Sequence, residues 1–284
     1  MVKHTGFVYY KGISIPGGSD MKQTILQYLM IIALVGGSYF LGVYKTQVED
    51  LKKSANTVAQ VQGATAQQPA TPTTVDINKV KALFTDPTNI SFGDANSKLL
   101  FVEFSDPSCP YCHVAGGLDG ALNKQMGSDF TLVSDGGTYQ PAMPEIRKLV
   151  DAGKAAFLWD FVPGHGNGEM GTLALYCANE QGKFWAVHDL LMNDAGYNLM
   201  NNTIKNDRKQ SQAMADFLKS AIDPKFMKSC LDSKKYEPRI TSDPQNGNIF
   251  GASATPTFLV NEHLIEGAAA WNSDFQSIVD PLTK

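Results

Sequence analysis

The chain has 284 residues, 43% of them hydrophobic and 18% charged, which suits one good-sized packed domain with appendages. A formal net charge of -4 offers no basic field to hold a polyanion, so nucleic acid is excluded as a partner. Four cysteines are too few for disulfides to replace a hydrophobic core, and each pair needs its own explanation.

Residues 1–23 are polar and turn-rich and are expected to form a short cytoplasmic segment. Residues 24–44, TILQYLMIIALVGGSYFLGVY, carry no charge and match the roughly 20 residues a helix needs to cross a bilayer, so one transmembrane anchor is expected there. Gln27 is its one strongly polar side chain, and the run is longer than a cleaved signal core and is closed by no small-x-small site. Lys3, Lys11 and Lys22 precede the span, whereas Lys45, Lys52 and Lys53 follow it beside Glu49 and Asp50, so charge decides its orientation only weakly. Residues 45–75 lose apolar periodicity and collect Ala, Gln, Thr and Pro, the composition of a flexible linker.

From about residue 76 to the end, strand and helix signals alternate. LLFVEF (99–104) and AAFLWDFV (155–162) read as buried strands. Between them Gly116, Gly117, Gly120, Gly127, Gly136 and Gly137 each cost a helix up to about 1 kcal/mol, so the helix after the first strand is expected to be short or broken and residues 113–145 to be an insertion beside it. Residues 169–192 carry apolar side chains at helical spacing, interrupted around Gln181-Gly182, and predict two packed helices. SQAMADFLKSAI and PKFMKSCLDS continue the helical block, the second opening on the cap pair Asp223-Pro224. TFLV (257–260), the turn Asn261-Glu262 and HLIEGA predict a hairpin, and WNSDFQSIVDPL a closing helix capped by Asn272 or Ser273.

The chemistry gathers at Cys109-Pro110-Tyr111-Cys112, which follows the first strand after a tight Asp106-Pro107-Ser108 turn. That places Cys109 at the mouth of a helix, where free backbone N–H groups and the helix dipole favour a thiolate. Cys112, one turn on, can close a reversible disulfide with it. Half of a structural zinc site shares this spacing, but a second C-x-x-C is missing. Glu103 lies in an otherwise apolar strand, where burial would raise its pKa and let it exchange a proton with the sulfur of Cys112; a strand-end carboxylate reaching solvent is the plainer alternative. Thr255-Pro256 stands at the start of a predicted strand, a place that suits either an ordinary trans-proline or a cis one. His113 could tune Cys109 or be a solvated helix residue; His165 reads as a loop residue and His188 as a packed helix residue. Trp159, Trp185 and Trp271 read as packing aromatics rather than a cofactor site.

FVEFSDPSCPYC, the late ATPTFLVN and the helical block between them resemble the thioredoxin superfamily, in its DsbA-like branch, over roughly residues 76–284. The resemblance implies an α/β thioredoxin fold with a helical domain inserted at about 166–233. It implies that Cys109 attacks, Cys112 resolves, Glu103 is the buried acid and Pro256 is a cis-proline facing them. It also implies that Thr255, Pro110 and Tyr111 meet substrate and set the redox potential. Cys177 and Cys230 fall on predicted helices of the insertion; a structural disulfide between them, which some such relatives carry, is expected over two separate buried thiols.

The resemblance further implies a membrane-anchored, single-pass, extracytoplasmic thiol-disulfide oxidoreductase. Its expected activity is a dithiol oxidase that introduces disulfides into exported proteins, with no bound cofactor or metal. A quinone-linked membrane protein of the DsbB or vitamin K epoxide reductase type would reoxidise it. A reductase or isomerase running the same exchange, and a thiolate metal-binding module, are the alternatives left open.

Overall fold

The computed structural model describes residues 74–283. The expected span at 24–44 and nearly all of the 45–75 linker lie outside the described residues; among the described residues no helix is long and apolar enough to cross a membrane. Thr74 bridges to His263 and the Val75 N–H donates to Glu262 O at 2.9 Å, so these last linker positions already pair with the domain.

The elements run α1 (Ile77–Thr85), β1 (Ile90–Phe92), β2 (Leu100–Ser105), α2 (Pro110–Gly116), α3 (Gly120–Gln125), α4 (Ala142–Asp151) and β3 (Ala156–Phe161). A helical block follows: α5 (Glu169–Asn179), α6 (Phe184–Leu191), α7 (Asp194–Asn198), α8 (Ser211–Phe217), α9 (Pro224–Ser233) and α10 (Glu237–Phe250). The chain closes with β4 (Thr257–Val260), β5 (His263–Glu266) and α11 (Gln276–Thr283). The strands form one sheet in the order β1-β3-β2-β4-β5, with β2 and β3 parallel and every other pair antiparallel. This is a thioredoxin-like α/β sheet with helices inserted after β3.

Both faces of the sheet are covered, which is why β2 and β3 are continuous apolar runs rather than alternating ones. Successive side chains still point to opposite faces. Phe101 lies on one side with Phe157, Trp159 and Phe258, packed against Ala115 of α2 and Ile146 of α4. Leu100, Val102 and Phe104 lie on the other with Leu158 and Leu259, packed against Val80 and Leu83 of α1 and Phe250 of α10. The parity of β2 therefore sends Glu103 to the α2 side.

Three details depart from the sequence expectation. Helix continues past residue 233 through α10, which the sequence disguises with Pro238, Pro244 and Gly247. Gly247 is needed where it stands, since a Cβ there would sit 2.5 Å from Val162 Cγ2. The closing helix is not capped by Asn272 or Ser273: a π turn at Trp271–Phe275 opens it earlier, and the Ala270 N–H donates to Asp274 Oδ2 at 2.9 Å. Helices α1 and α4 and strand β1 add cover that periodicity did not resolve.

Cys177 on α5 and Cys230 on α9 are joined by a disulfide across 53 residues. Closing a loop of that length removes chain entropy from the unfolded state worth roughly 4 kcal/mol. The double variant Cys177→Ala with Cys230→Ala should lose stability of about that size in urea unfolding, and reduction of this bond in the wild type should reproduce the loss; equal stability of the two would show that the bridge constrains nothing.

Candidate active site

The turn after β2 builds the site from its backbone. Cys109 N–H donates to Asp106 O at 2.9 Å, and Cys109 then serves as the N-cap of α2 with Pro110 in the first helical turn. Pro at that place wastes no hydrogen bond, because the first N–H groups of a helix have no partner within it. Cys112 N–H donates back to Cys109 O at 3.1 Å, so the two cysteines lie one turn apart on the same short helix. Both are free thiols; Cys109 is 5% exposed and Cys112 fully buried. Pro110 is half-buried, and Tyr111, 41% exposed, meets Phe130 of the glycine-rich segment edge-on at 5.9 Å.

The thiols are pushed in opposite directions. Cys109 is lowered to about 6, first by the hydrogen bond from the Cys112 thiol, against the opposing effect of burial, and then by Thr255 and the backbone N–H groups of Cys112 and Tyr111. The helix terminus named by the sequence reading does contribute, through those two amides, but it ranks behind the neighbouring thiol. Cys112 is raised well above the ordinary thiol value by burial, by its partnership with Cys109 and by the charge of Glu103. The Asp106 N–H, 3.5 Å from Cys112 Sγ, opposes this only weakly.

Glu103 reaches the same place from β2. It is 1% exposed; Oε1 accepts from Ser105 Oγ at 2.8 Å, and Oε2 has no protein partner. Burial raises its carboxyl to about 7, against the opposing influence of His188 and Ser105. The plainer sequence alternative, a strand-end carboxylate in solvent, is not what the fold provides.

The Thr255-Pro256 peptide bond is cis, and Cys109 Sγ lies 3.3 Å from Thr255 O. The Thr255 hydroxyl is buried and has no hydrogen-bond partner while Cys109 is a thiol. It can donate once the sulfur becomes an anion. Cys109, Cys112, Glu103 and Thr255 thus converge from β2, α2 and the segment before β4, whereas Cys177 and Cys230 lie together in the helical block.

His113 is neither solvated nor a ready cation. It is fully buried, its Nε2 lies 2.8 Å from Pro107 O, Tyr197 meets its ring edge-on, and burial lowers its pKa. His188 packs in α6 against Phe184 and Trp185, and His165 lies in the loop after β3, its N–H bonded to Asp106 Oδ2. Sequence reasoning passed over Ser105, which partners Glu103, and Asp106, which read only as a turn former. Asp106-Pro107-Ser108 before a C-x-x-C was the available signal.

Glu103 has a consequence for stability. Its proton is bound more tightly in the fold than in the unfolded chain, so stability falls as pH rises from about 4.5 to about 7 and the full cost, about 3 kcal/mol, is present above that window. In the oxidised protein, where the two sulfurs do not titrate, Glu103→Gln should be more stable than wild type by up to about 3 kcal/mol at pH 8 and should gain nothing at pH 4. A difference independent of pH, read by urea unfolding, would show that Glu103 does not carry a displaced titration.

A family model described as Thioredoxin matches residues 140–281, half of the chain and C-terminal to both Cys109 and Cys112. Among solved structures, BdbD from Bacillus subtilis is similar with a TM-score of 0.51 and 21% identity, over 76% of this chain and 100% of that one. Wolbachia pipientis alpha-DsbA1 gives 0.52 and 18%, over 72% and 96%. The catalytic domain of Proteus mirabilis ScsC gives 0.51 and 17%, over 74% and 99%. Two curated relatives are Na(+)/H(+) antiporter NhaA 3 of Salinispora tropica, 26% identical over 176 residues, and NhaA 1 of Salinispora arenicola, 23% over 172. Each match takes in 60% of this chain, which spans about a fifth of the relatives' length (21%). The chain belongs to the thioredoxin family and has the helix-inserted fold of its DsbA-like thiol-disulfide oxidoreductases.

Proposed function

We propose that the chain is an extracytoplasmic dithiol oxidase, anchored by residues 24–44, that introduces disulfides into exported proteins through Cys109 and Cys112. What supports the reading is the setting of two buried sulfurs one helical turn apart, which draws Cys109 down to about 6 and holds Cys112 up as a thiol. A stabilised Cys109 thiolate favours the reduced pair over the disulfide, and a pair that prefers to be reduced oxidises others. The Cys177–Cys230 disulfide supports an oxidising compartment.

In the forward reaction a substrate thiolate attacks Cys109 Sγ of the oxidised pair. The Cys109–Cys112 bond breaks, a mixed disulfide forms, and the electron pair leaves on Cys112. That sulfur is a poor anion where it lies, so it takes a proton, and Glu103, poised near neutrality beside it, is the donor. A second substrate thiolate then attacks the substrate sulfur of the mixed disulfide and expels Cys109, a good leaving group as a thiolate. Two electrons pass from substrate to enzyme. In this reading Thr255, Pro110 and Tyr111 meet the substrate; the Thr255 carbonyl lies 3.3 Å from Cys109 Sγ, and the peptide bond from Thr255 to Pro256 is cis. A quinone-linked membrane protein takes the two electrons and restores the disulfide.

The reduction potential of the Cys109 and Cys112 pair, measured against glutathione in the isolated domain, decides the direction. The oxidase reading expects a value between about -120 and -200 mV; one near -270 mV would make the chain a reductase. Cys109→Ser should abolish oxidation of a dithiol peptide, and retained activity would place the chemistry elsewhere.

A further inference from the structure

Asp106 takes no part in the exchange steps above, yet it is fully buried and its two oxygens accept four hydrogen bonds. Oδ1 takes the N–H and the hydroxyl of Ser108, both at 2.7 Å. Oδ2 takes the backbone N–H groups of Gly164 at 2.8 Å and His165 at 2.9 Å. One oxygen therefore holds the turn that presents Cys109, and the other holds a loop 58 residues further along the chain. Shaping the turn requires only the first. The second has a different task.

The loop, residues 163–168, leads from β3 into the inserted helices and is pressed against two neighbours without spare room. A Cβ on Gly168 would lie 1.8 Å from Asp106 Oδ1, and a Cβ on Gly164 would lie 1.8 Å from Thr255 Oγ1. Gly164 is thus bonded to Asp106 through its N–H and backs the Thr255 side chain with its Cα. Thr255 in turn accepts from the Cys109 thiol through its carbonyl at 3.3 Å, and its unpartnered hydroxyl is the group that favours the thiolate. The connection is continuous from the carboxylate, through the loop that follows the neighbouring strand β3, to the residue that meets the nucleophile.

We propose that Asp106 is a positioning residue for thiol exchange: its carboxylate latches the 163–168 loop onto the Cys109 turn, and Gly164 in that loop sets Thr255 against Cys109. The proposal rests on reading Cys109 as the nucleophile. It also ties the helical insertion to the redox pair, since the loop that begins the insertion is the latched segment.

The test is the pH profile of Cys109 alkylation by iodoacetamide in the reduced protein, with thermal unfolding as the check of folding. The wild type should show a midpoint near 6. Asp106→Asn keeps an acceptor for Ser108 but turns an NH2 group on the Gly164 and His165 N–H donors. Its midpoint should rise by about 0.5 to 1 unit, because Thr255 is no longer held where it supports the thiolate. Gly164→Ala pushes on Thr255 from the opposite side with Asp106 intact and should raise the midpoint likewise.

A folded Asp106→Asn protein that melts earlier but alkylates with the wild-type profile would make Asp106 merely structural and overturn the proposal. If that variant does not fold, Gly164→Ala decides alone, and an unchanged profile overturns the proposal equally. Alkylation needs no protein substrate. A wild type that alkylates near pH 6 yet fails to oxidise a dithiol peptide would therefore sink the oxidase reading while the latch stood.

Discussion

Cys109 and Cys112 lie one helical turn apart in a place water scarcely reaches, and their partnership is the largest influence lowering Cys109 while it adds to the burial that raises Cys112. A proton shared between two sulfurs can be lost once at modest cost, because the remaining proton stays between them. Losing the second would put two anions side by side with no solvent to separate them. The same contact therefore lowers one group and raises the other. Burial, which by itself would raise both, is overcome only at Cys109, where Thr255 and two backbone amides add their donors. A reactive thiolate and a protected thiol one helical turn apart need no external cation.

In the proposed exchange this asymmetry leaves Cys112 needing a proton whenever it is released as a leaving group, and Glu103 on the strand beneath it is the acid proposed to supply one. Glu103 is carried to that position by the two-residue repeat of β2, which puts it on the same face as Phe101 and away from Val102 and Phe104. A one-residue slip of register would bury it against α1 and α10 instead. The pairing of Glu103 with Trp159 on one side and Phe258 on the other fixes the register twice. The placement of this buried carboxyl is thus a property of the sheet rather than of the active-site loop.

How much of this was legible in the sequence follows from where each cause lies. The strands around Phe101, Phe157 and Phe258 are continuous apolar runs, and Glu103 stands out among them, so strand and acid could both be read. The α10 helix could not, because Pro238, Pro244 and Gly247 argue locally against helix while packing on Val162 favours it. The burial of His113 was equally hidden, since Pro107 O and Tyr197, which close over it, come from outside its helix. The glycines after the motif were read as helix breakers, and they are, but two of them also permit close approach. Gly117 has φ +66 and lies against Pro141, and a Cβ on Gly137 would sit 2.1 Å from Thr131 O. The segment folds back on itself, and Phe130 comes to rest on Tyr111 as a result.

The opposite face of the sheet holds a buried acid pair, Asp160 near the end of β3 and Asp243 on α10. Asn246 Nδ2 donates to Asp160 Oδ2 at 2.8 Å, and Arg239 Nε donates to Asp243 Oδ1 at 2.5 Å. Burial raises both carboxyls, and their nearness favours keeping one proton between them, with Arg239 as the counter-ion to the remaining charge. Arg239 also reaches Thr88 O and Asn89 Oδ1 just before β1, so the pair ties α10 to the edge of the sheet. Because both acids are raised, this centre, like Glu103, makes the fold less stable as pH rises. The two centres lie on opposite faces of the sheet, one beside exchangeable sulfurs and one beside a fixed guanidinium. Only the first changes its surroundings when the disulfide opens. A pH dependence that differs between the oxidised and reduced protein therefore arises from the sulfurs and Glu103, whereas a dependence common to both states arises in part from Asp160 and Asp243.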